Sequence, residues 1–230
     1  VGENSLTFTR LSCDGEEGYP GNLLVSVRYT FDDECRLGIH YQALCDQDTV
    51  INLTNHSYFN LDGEDSESVE GQHLQIFADS FAENDAGCLP TGRIVSLDSE
   101  EGAPFDFREP TEIGKRLHEE NIHLKNGSGY DHNYLLKKQP DGLCARAYSR
   151  SSGILLECRT SEPGMQLYTG NFLSTSNIVG KGGKSYADRA GFCLETQHYP
   201  NAMEHPEFPS VVLPAGELYD TTTEYHISLL

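Results

Sequence analysis

Hydrophobic and polar positions alternate with a period of two over several short stretches, the pattern of strands that bury one face. It is clearest over residues 6–10, 23–31, 37–43, 74–77, 154–159 and 224–229. Turn-forming clusters fall between such stretches: Gly18-Tyr19-Pro20-Gly21, Leu89-Pro90-Thr91-Gly92, Gln139-Pro140-Asp141-Gly142 and Leu213-Pro214-Ala215-Gly216. Proline presets φ and glycine accepts positive φ, so these clusters reverse the chain for a physical reason. Many short strands separated by frequent turns predict an all-β sandwich or barrel rather than alternating βα units. The helical pattern is sparse, and a single short helix is expected over residues 110–118, with Pro110 acceptable in its first turn. Residues 62–68 read as a solvated acidic loop and residues 180–184 as a flexible surface connection. There is no internal repeat and no low-complexity segment.

Composition narrows the partners. A chain of 230 residues is long enough for one large all-β domain, and one domain over residues 1–230 is expected. With 36 acidic against 16 basic residues, the formal charge of -20 repels phosphate backbones and anionic lipid surfaces. Nucleic acid and membrane are therefore not expected as partners. No apolar run approaches the roughly 20 residues that cross a bilayer, and Val1-Gly2-Glu3-Asn4 lacks the features of a signal peptide. Cys13, Cys35, Cys45, Cys88, Cys144, Cys158 and Cys193 are odd in number, widely spaced and free of C-x-x-C pairs, which suits reduced thiols better than disulfides or a zinc site. Three N-x-S/T sequons occur, at Asn52, Asn55 and Asn126, and the second encloses His56. A glycan there would bury any chemistry at His56, so a catalytic His56 implies a cytoplasmic protein.

Several familiar motifs fail on inspection. Gly183-Lys184-Ser185 lacks the phosphate-loop glycine five positions before Gly183, where Ile178 stands. His118 and His123 are five residues apart, so they do not share a helix face and read as surface histidines. No G-x-S-x-G elbow is present. The pairs Glu16-Glu17 and Asp32-Asp33 sit in turn-like sequence and are expected to face solvent.

Three segments concentrate polar and aromatic residues in sequence that otherwise looks buried: residues 52–61, around His56, Ser57 and Tyr58; residues 129–136, around Asp131; and residues 191–200, where Glu195 ends an apolar run. A buried carboxylate must be hydrogen-bonded or lose its charge, because an unpaired buried ion costs several kcal/mol or more. Taken singly, Glu195 could satisfy a strand end, His56 a turn, and Asp131 could cap one. Taken together, they supply the donors, acceptors and stacking faces that a polyhydroxylated ligand requires, with an acid and a base.

Asn55-His56-Ser57-Tyr58-Phe59-Asn60-Leu61, Asp131-His132-Asn133 and Phe192-Cys193-Leu194-Glu195-Thr196-Gln197 resemble three signature segments of the aldose 1-epimerase (galactose mutarotase) family, in the family's order. Further similarity lies at residues 14–21, 89–92, 163–171 and 213–217. The resemblance implies a large antiparallel β-sandwich of the galactose mutarotase-like type. It makes His56 the general acid and Glu195 the general base, with Asp131, Gln166, Ser57 and Tyr58 around the sugar. The implied reaction interconverts the α and β anomers of a free aldohexose such as galactose or glucose, with no metal, other cofactor or covalent intermediate. Family members carry an earlier region with an Arg and a second His in a Leu-His-Gly-Gly type motif, absent here. N-terminal strands of the sandwich are thus expected to be missing, with low activity for these 230 residues alone. The rival readings are a noncatalytic sugar-binding protein of the same fold and a hexose-phosphate epimerase, whose site would need a basic cluster. No motif specifies an oligomeric state.

Overall fold

The computed structural model describes residues 4–176 and 179–230. Val1, Gly2 and Glu3 of the opening tetrapeptide, and the Ile178 position of the failed phosphate loop, lie outside the described residues. Two antiparallel sheets dominate. The larger has eight strands in the order β1 (Ser5–Ser12), β2 (Leu23–Phe31), β3 (Arg36–Cys45), β15 (Leu218–Leu229), β11 (Ile154–Thr160), β10 (Leu143–Tyr148), β5 (His73–Ile76) and β8 (Thr111–Glu112). The smaller has five, in the order β13 (Cys193–Gln197), β12 (Gly164–Tyr168), β9 (Asp131–Leu136), β6 (Ala78–Asn84) and β7 (Pro90–Ser96). A two-residue pair, β4 (Thr49–Val50) with β14 (Val212–Leu213), forms a third, small ladder.

The two large sheets enclose one apolar core, as the alternating pattern requires. Ile39 and Tyr41 of β3, Leu156 of β11, Ala145 and Ala147 of β10 and Tyr225 of β15 bury against Met165 and Leu167 of β12, Leu194 of β13 and Tyr134 of β9. Three tyrosine hydroxyls drawn into this core are paired with backbone carbonyls, whereas that of Tyr41 has no hydrogen-bond partner among the described residues. The Tyr225 hydroxyl donates to the Leu194 carbonyl at 2.7 Å, linking β15 to β13. Tyr130 and Tyr134 donate to the carbonyls of Pro104 and Phe105 at 2.8 and 2.9 Å. At the far end of the eight-stranded sheet β1 is an edge strand, and Leu6, Phe8 and Leu11 on it are exposed, as are Leu24 and Phe31 of β2.

The helix expected over residues 110–118 is not there. Thr111 and Glu112 instead pair with Leu74 and His73 as β8, followed by a single 3-10 turn at Ile113–Lys115. The helix of the described residues is α1 (Ile122–Gly127), opened by Asn121, whose side chain accepts from the amides of His123 and Leu124. An Asn cap supplies what the first turn lacks, whereas strand pairing with β5 outcompeted the local preference around Pro110. His123 also departs from the surface reading: it is 1% exposed, with Nε2 3.4 Å from Glu101, and only His118 is exposed.

Candidate functional site

Strand register assembles the site. On β12, Gln166 stands opposite Glu195 of β13 on one side and Asn133 of β9 on the other; Tyr168 stands opposite Cys193 and Asp131. Because side chains alternate between faces, Asp131, Gln166, Tyr168, Cys193, Glu195 and Gln197 share one face of the five-stranded sheet. Met165, Leu167, Leu194 and Tyr134 point the other way, into the core. The same alternation that builds the hydrophobic layer therefore sets a polar row behind it.

His56 reaches this row from a loop. β13 is an edge strand, and the segment after β4 runs antiparallel along its free side. Asn52 donates through Nδ2 to the His198 carbonyl at 3.0 Å and accepts the His198 amide at 2.9 Å. Thr54 donates to the Thr196 carbonyl at 2.9 Å, and Phe59 exchanges both backbone bonds with Phe192. Between these anchors the spacing leaves His56 opposite Leu194, flanked by Cys193 and Glu195. Its Nε2 lies 3.4 Å from Glu195 Oε1 and its Nδ1 3.4 Å from Cys193 Sγ. Tyr58 stacks 5.1 Å from the imidazole, and Tyr168 closes the aromatic wall at 6.0 Å. Gly191 makes room for that wall, since a Cβ there would come within 3.2 Å of Tyr58 Cβ.

The groups perturb one another. Glu195 is 8% exposed, and burial, with the charge of Asp131 added, pushes its carboxyl up to about 7. Burial likewise pushes Asp131 upward, opposed by the 2.7 Å bond it accepts from Gln166 Nε2 and by His56. The Cys193 thiol is driven well up by burial and then by Glu195 and Asp131. Cys193 Sγ stands against Nδ1 of His56, which leaves Nε2 as the ring nitrogen that faces Glu195. Gln166 Oε1 is buried and has no hydrogen-bond partner among the described residues.

His56, Tyr58, Asp131, Gln166 and Glu195 thus meet around one pocket of ≈ 330 Å³, inside the range of about 300–1,000 Å³ usual for small-molecule sites. Ser57 is exposed, with its amide donated to Asn55 Oδ1, and stands outside the pocket wall. Tyr168, Phe172, Gln197 and Pro200 also line the wall and were not singled out from sequence. Counting in twos from Gln166 and Glu195 reaches Tyr168 and Gln197, so those two carried a usable signal. Phe172 and Pro200 come from the turns after β12 and β13, where no periodicity applies.

A family model described as aldose 1-epimerase matches residues 2–226. Galactose mutarotase from Bos taurus is 45% identical over 227 residues, covering 98% of this chain and 64% of its own length. Aldose 1-epimerase from Escherichia coli strain K12 is 37% identical over 97% of this chain and 64% of its own. The chain thus spans 64% of the length of these curated relatives. The crystal structure of an aldose epimerase homologue from C. elegans superposes with a TM-score of 0.88 at 30% identity, covering 100% of this chain and 67% of that one. The all-β fold with its two antiparallel sheets is therefore the galactose mutarotase-like sandwich, and no helix among the described residues is long and apolar enough to cross a membrane. By the family match along nearly its whole length and the level of identity to named members, the chain belongs to the aldose 1-epimerase family.

Proposed function

We propose that the protein is an isomerase that interconverts the α and β anomers of a free aldohexose such as galactose or glucose. The observation that carries this reading is the pair His56 and Glu195, 3.4 Å apart on the pocket wall, with the carboxyl of Glu195 near 7. Ring opening of a hemiacetal removes the proton from the anomeric hydroxyl and adds one to the ring oxygen, and both oxygens are bonded to the same carbon. An acid and a base this close together reach both. Ionised Glu195 takes the hydroxyl proton as C1–O5 breaks and the C1=O1 carbonyl forms, and the His56 imidazolium protonates O5. Rotation about C1–C2 presents the other carbonyl face. Reversal of both transfers then closes the ring as the opposite anomer and returns each group to its starting state.

A base whose proton affinity matches neutral pH is suited to both directions, since it must take and return the same proton in one turnover. Asp131 and Gln166, both on the pocket wall, would hydrogen-bond sugar hydroxyls, and Tyr58 and Tyr168 offer ring faces to the apolar side of the pyranose. Ser57, exposed beside His56, is retained as a contact for a bound sugar. Among the described residues the pocket wall carries two carboxylates and neither Lys nor Arg, which favours a neutral aldose over a hexose phosphate. We assign residues 1–230 to one epimerase domain and the protein to the cytoplasm, in the hexose metabolism of the cell; the compartment rests on the odd and widely spaced cysteines.

Polarimetry on α-D-galactose and α-D-glucose tests the reading. The protein should speed mutarotation above the buffer rate, and His56→Asn and Glu195→Gln should each lower kcat by roughly 10²- to 10⁴-fold, the usual contribution of one positioned acid or base. Near-normal rates in either variant would sink the assigned roles. Sugar binding without any change in optical rotation would mark a noncatalytic binder instead.

A further inference from the structure

Among the described residues, one set of three side chains brings together donor atoms of the kinds that hold a transition-metal ion. It consists of His56, Cys193 and Glu195, with one donor atom from each lying within 4.8 Å of the others. We propose that this trio is an inhibitory site for a zinc-class divalent cation, which occupies the pocket in place of the sugar and ties up both proton-transfer groups. Metal binding itself follows from the donor set alone; the inhibition rests on the proposed roles of His56 and Glu195.

The strand supplies two ligands by register. Cys193 and Glu195 are two apart on β13 and therefore project from the same face, and the fully buried Cys193 places its Sγ beside His56. The loop supplies the third. Zinc bonds of about 2.0–2.3 Å to nitrogen, oxygen and sulfur place tetrahedral ligand atoms roughly 3.3–3.8 Å apart. Each imidazole nitrogen already stands at that length from one strand ligand, Nδ1 3.4 Å from Sγ and Nε2 3.4 Å from Oε1. One imidazole nitrogen serves at a time, so the remaining closure falls to His56, whose half-exposed side chain on a loop can rotate while the strand ligands stay fixed.

Thiolate and imidazole select zinc and its neighbours over magnesium or calcium. Three protein ligands, two of them on the pocket wall, leave a fourth position for water. On binding, the Cys193 thiol gives its proton to solvent as the metal–sulfur bond forms, and His56 enters as neutral imidazole. No electrons are transferred. With the imidazole lone pair and the carboxylate both bound to metal, neither acid nor base remains for the sugar.

Cobalt(II) titration of the whole chain provides the test, because cobalt occupies zinc sites and reports a thiolate ligand through an intense near-ultraviolet charge-transfer band. We expect one equivalent bound with that band, displaced by zinc. Cys193→Ser should abolish the band, and the near-isosteric Glu195→Gln and His56→Asn should each weaken cobalt affinity at least about tenfold. In polarimetry, zinc should raise the apparent KM for galactose at constant kcat, reversibly with EDTA. No band, a band that survives in folded Cys193→Ser, or affinity unchanged in both other variants would overturn the proposal. Should mutarotation be absent while the cobalt results hold, the proposed function fails and the metal site stands.

Discussion

If Glu195 is the base, the acidic limb of the pH–rate profile must reflect its buried position. Between pH 6 and pH 5 the ionised fraction of a carboxyl titrating near 7 falls from about 9% to about 1%, roughly a ninefold loss of active base. A carboxyl left at the ordinary 4.5 would lose only about a fifth of its ionised form over that interval. The rates therefore separate the two cases without any fitted parameter. Asp131→Asn sharpens the test, because the amide oxygen can still accept from Gln166 while the charge is gone. Burial is the larger cause of the elevation of Glu195 and Asp131 the smaller, so the limb should move to lower pH by about one pH unit at most. The assay is polarimetric kcat/KM for α-D-galactose with a buffer blank subtracted at each pH. A wild-type midpoint near 4.5, or a limb that Asp131→Asn leaves in place, would refute the reasoning.

Two further perturbations follow from the same geometry. Glu195 keeps its proton in the folded state up to about 7 but only to about 4.5 when unfolded, so its stabilising contribution is full below 4.5 and lost as pH rises through 7. Glu195→Gln should therefore raise unfolding stability by about 1–3 kcal/mol at pH 8 and by little at pH 4.5, read by urea denaturation; equal effects at both pH values would contradict the buried charge. Asn52→Ala removes both bonds to His198 and should cost about 1–3 kcal/mol while lowering kcat as His56 drifts from Glu195. Asn52→Asp, which keeps the acceptor but not the donor, should fall between; full activity in Asn52→Ala would show that the loop holds His56 by other means.

How much of this was legible beforehand depends on what carried the information. Residues 37–43 showed their strand because Ile39, Tyr41 and Ala43 are buried while His40 and Gln42 between them are not, so the period is visible. β13 was harder: all five of its residues are buried, and a strand dry on both faces hides its alternation. There Glu195 stood out only as a carboxylate where none should be, and its partner His56, 139 positions away, was reached through resemblance rather than through spacing. The misplaced helix has the opposite cause. Local preference around Pro110 was real, but the free edge of β5 offered Thr111 and Glu112 a ladder, and no local pattern reports such an edge.

The two faces of the five-stranded sheet explain why an acidic, partly dry row can persist in a stable fold. Met165, Leu167 and Leu194 anchor β12 and β13 to the core through the residues between the functional ones, so the backbone that carries Gln166 and Glu195 is held without any contribution from those side chains. The cost of burying Glu195 then falls on a frame already fixed by its neighbours. It can be expressed as an elevated proton affinity rather than as local unfolding. His56 stands under the opposite constraint: side-chain bonds and one backbone bridge to an edge strand hold it, and its ring keeps about half its surface in solvent. A buried Glu195 opposite a half-exposed His56 would suit the proposed reaction, in which the sugar opens, turns about C1–C2 and closes again between them.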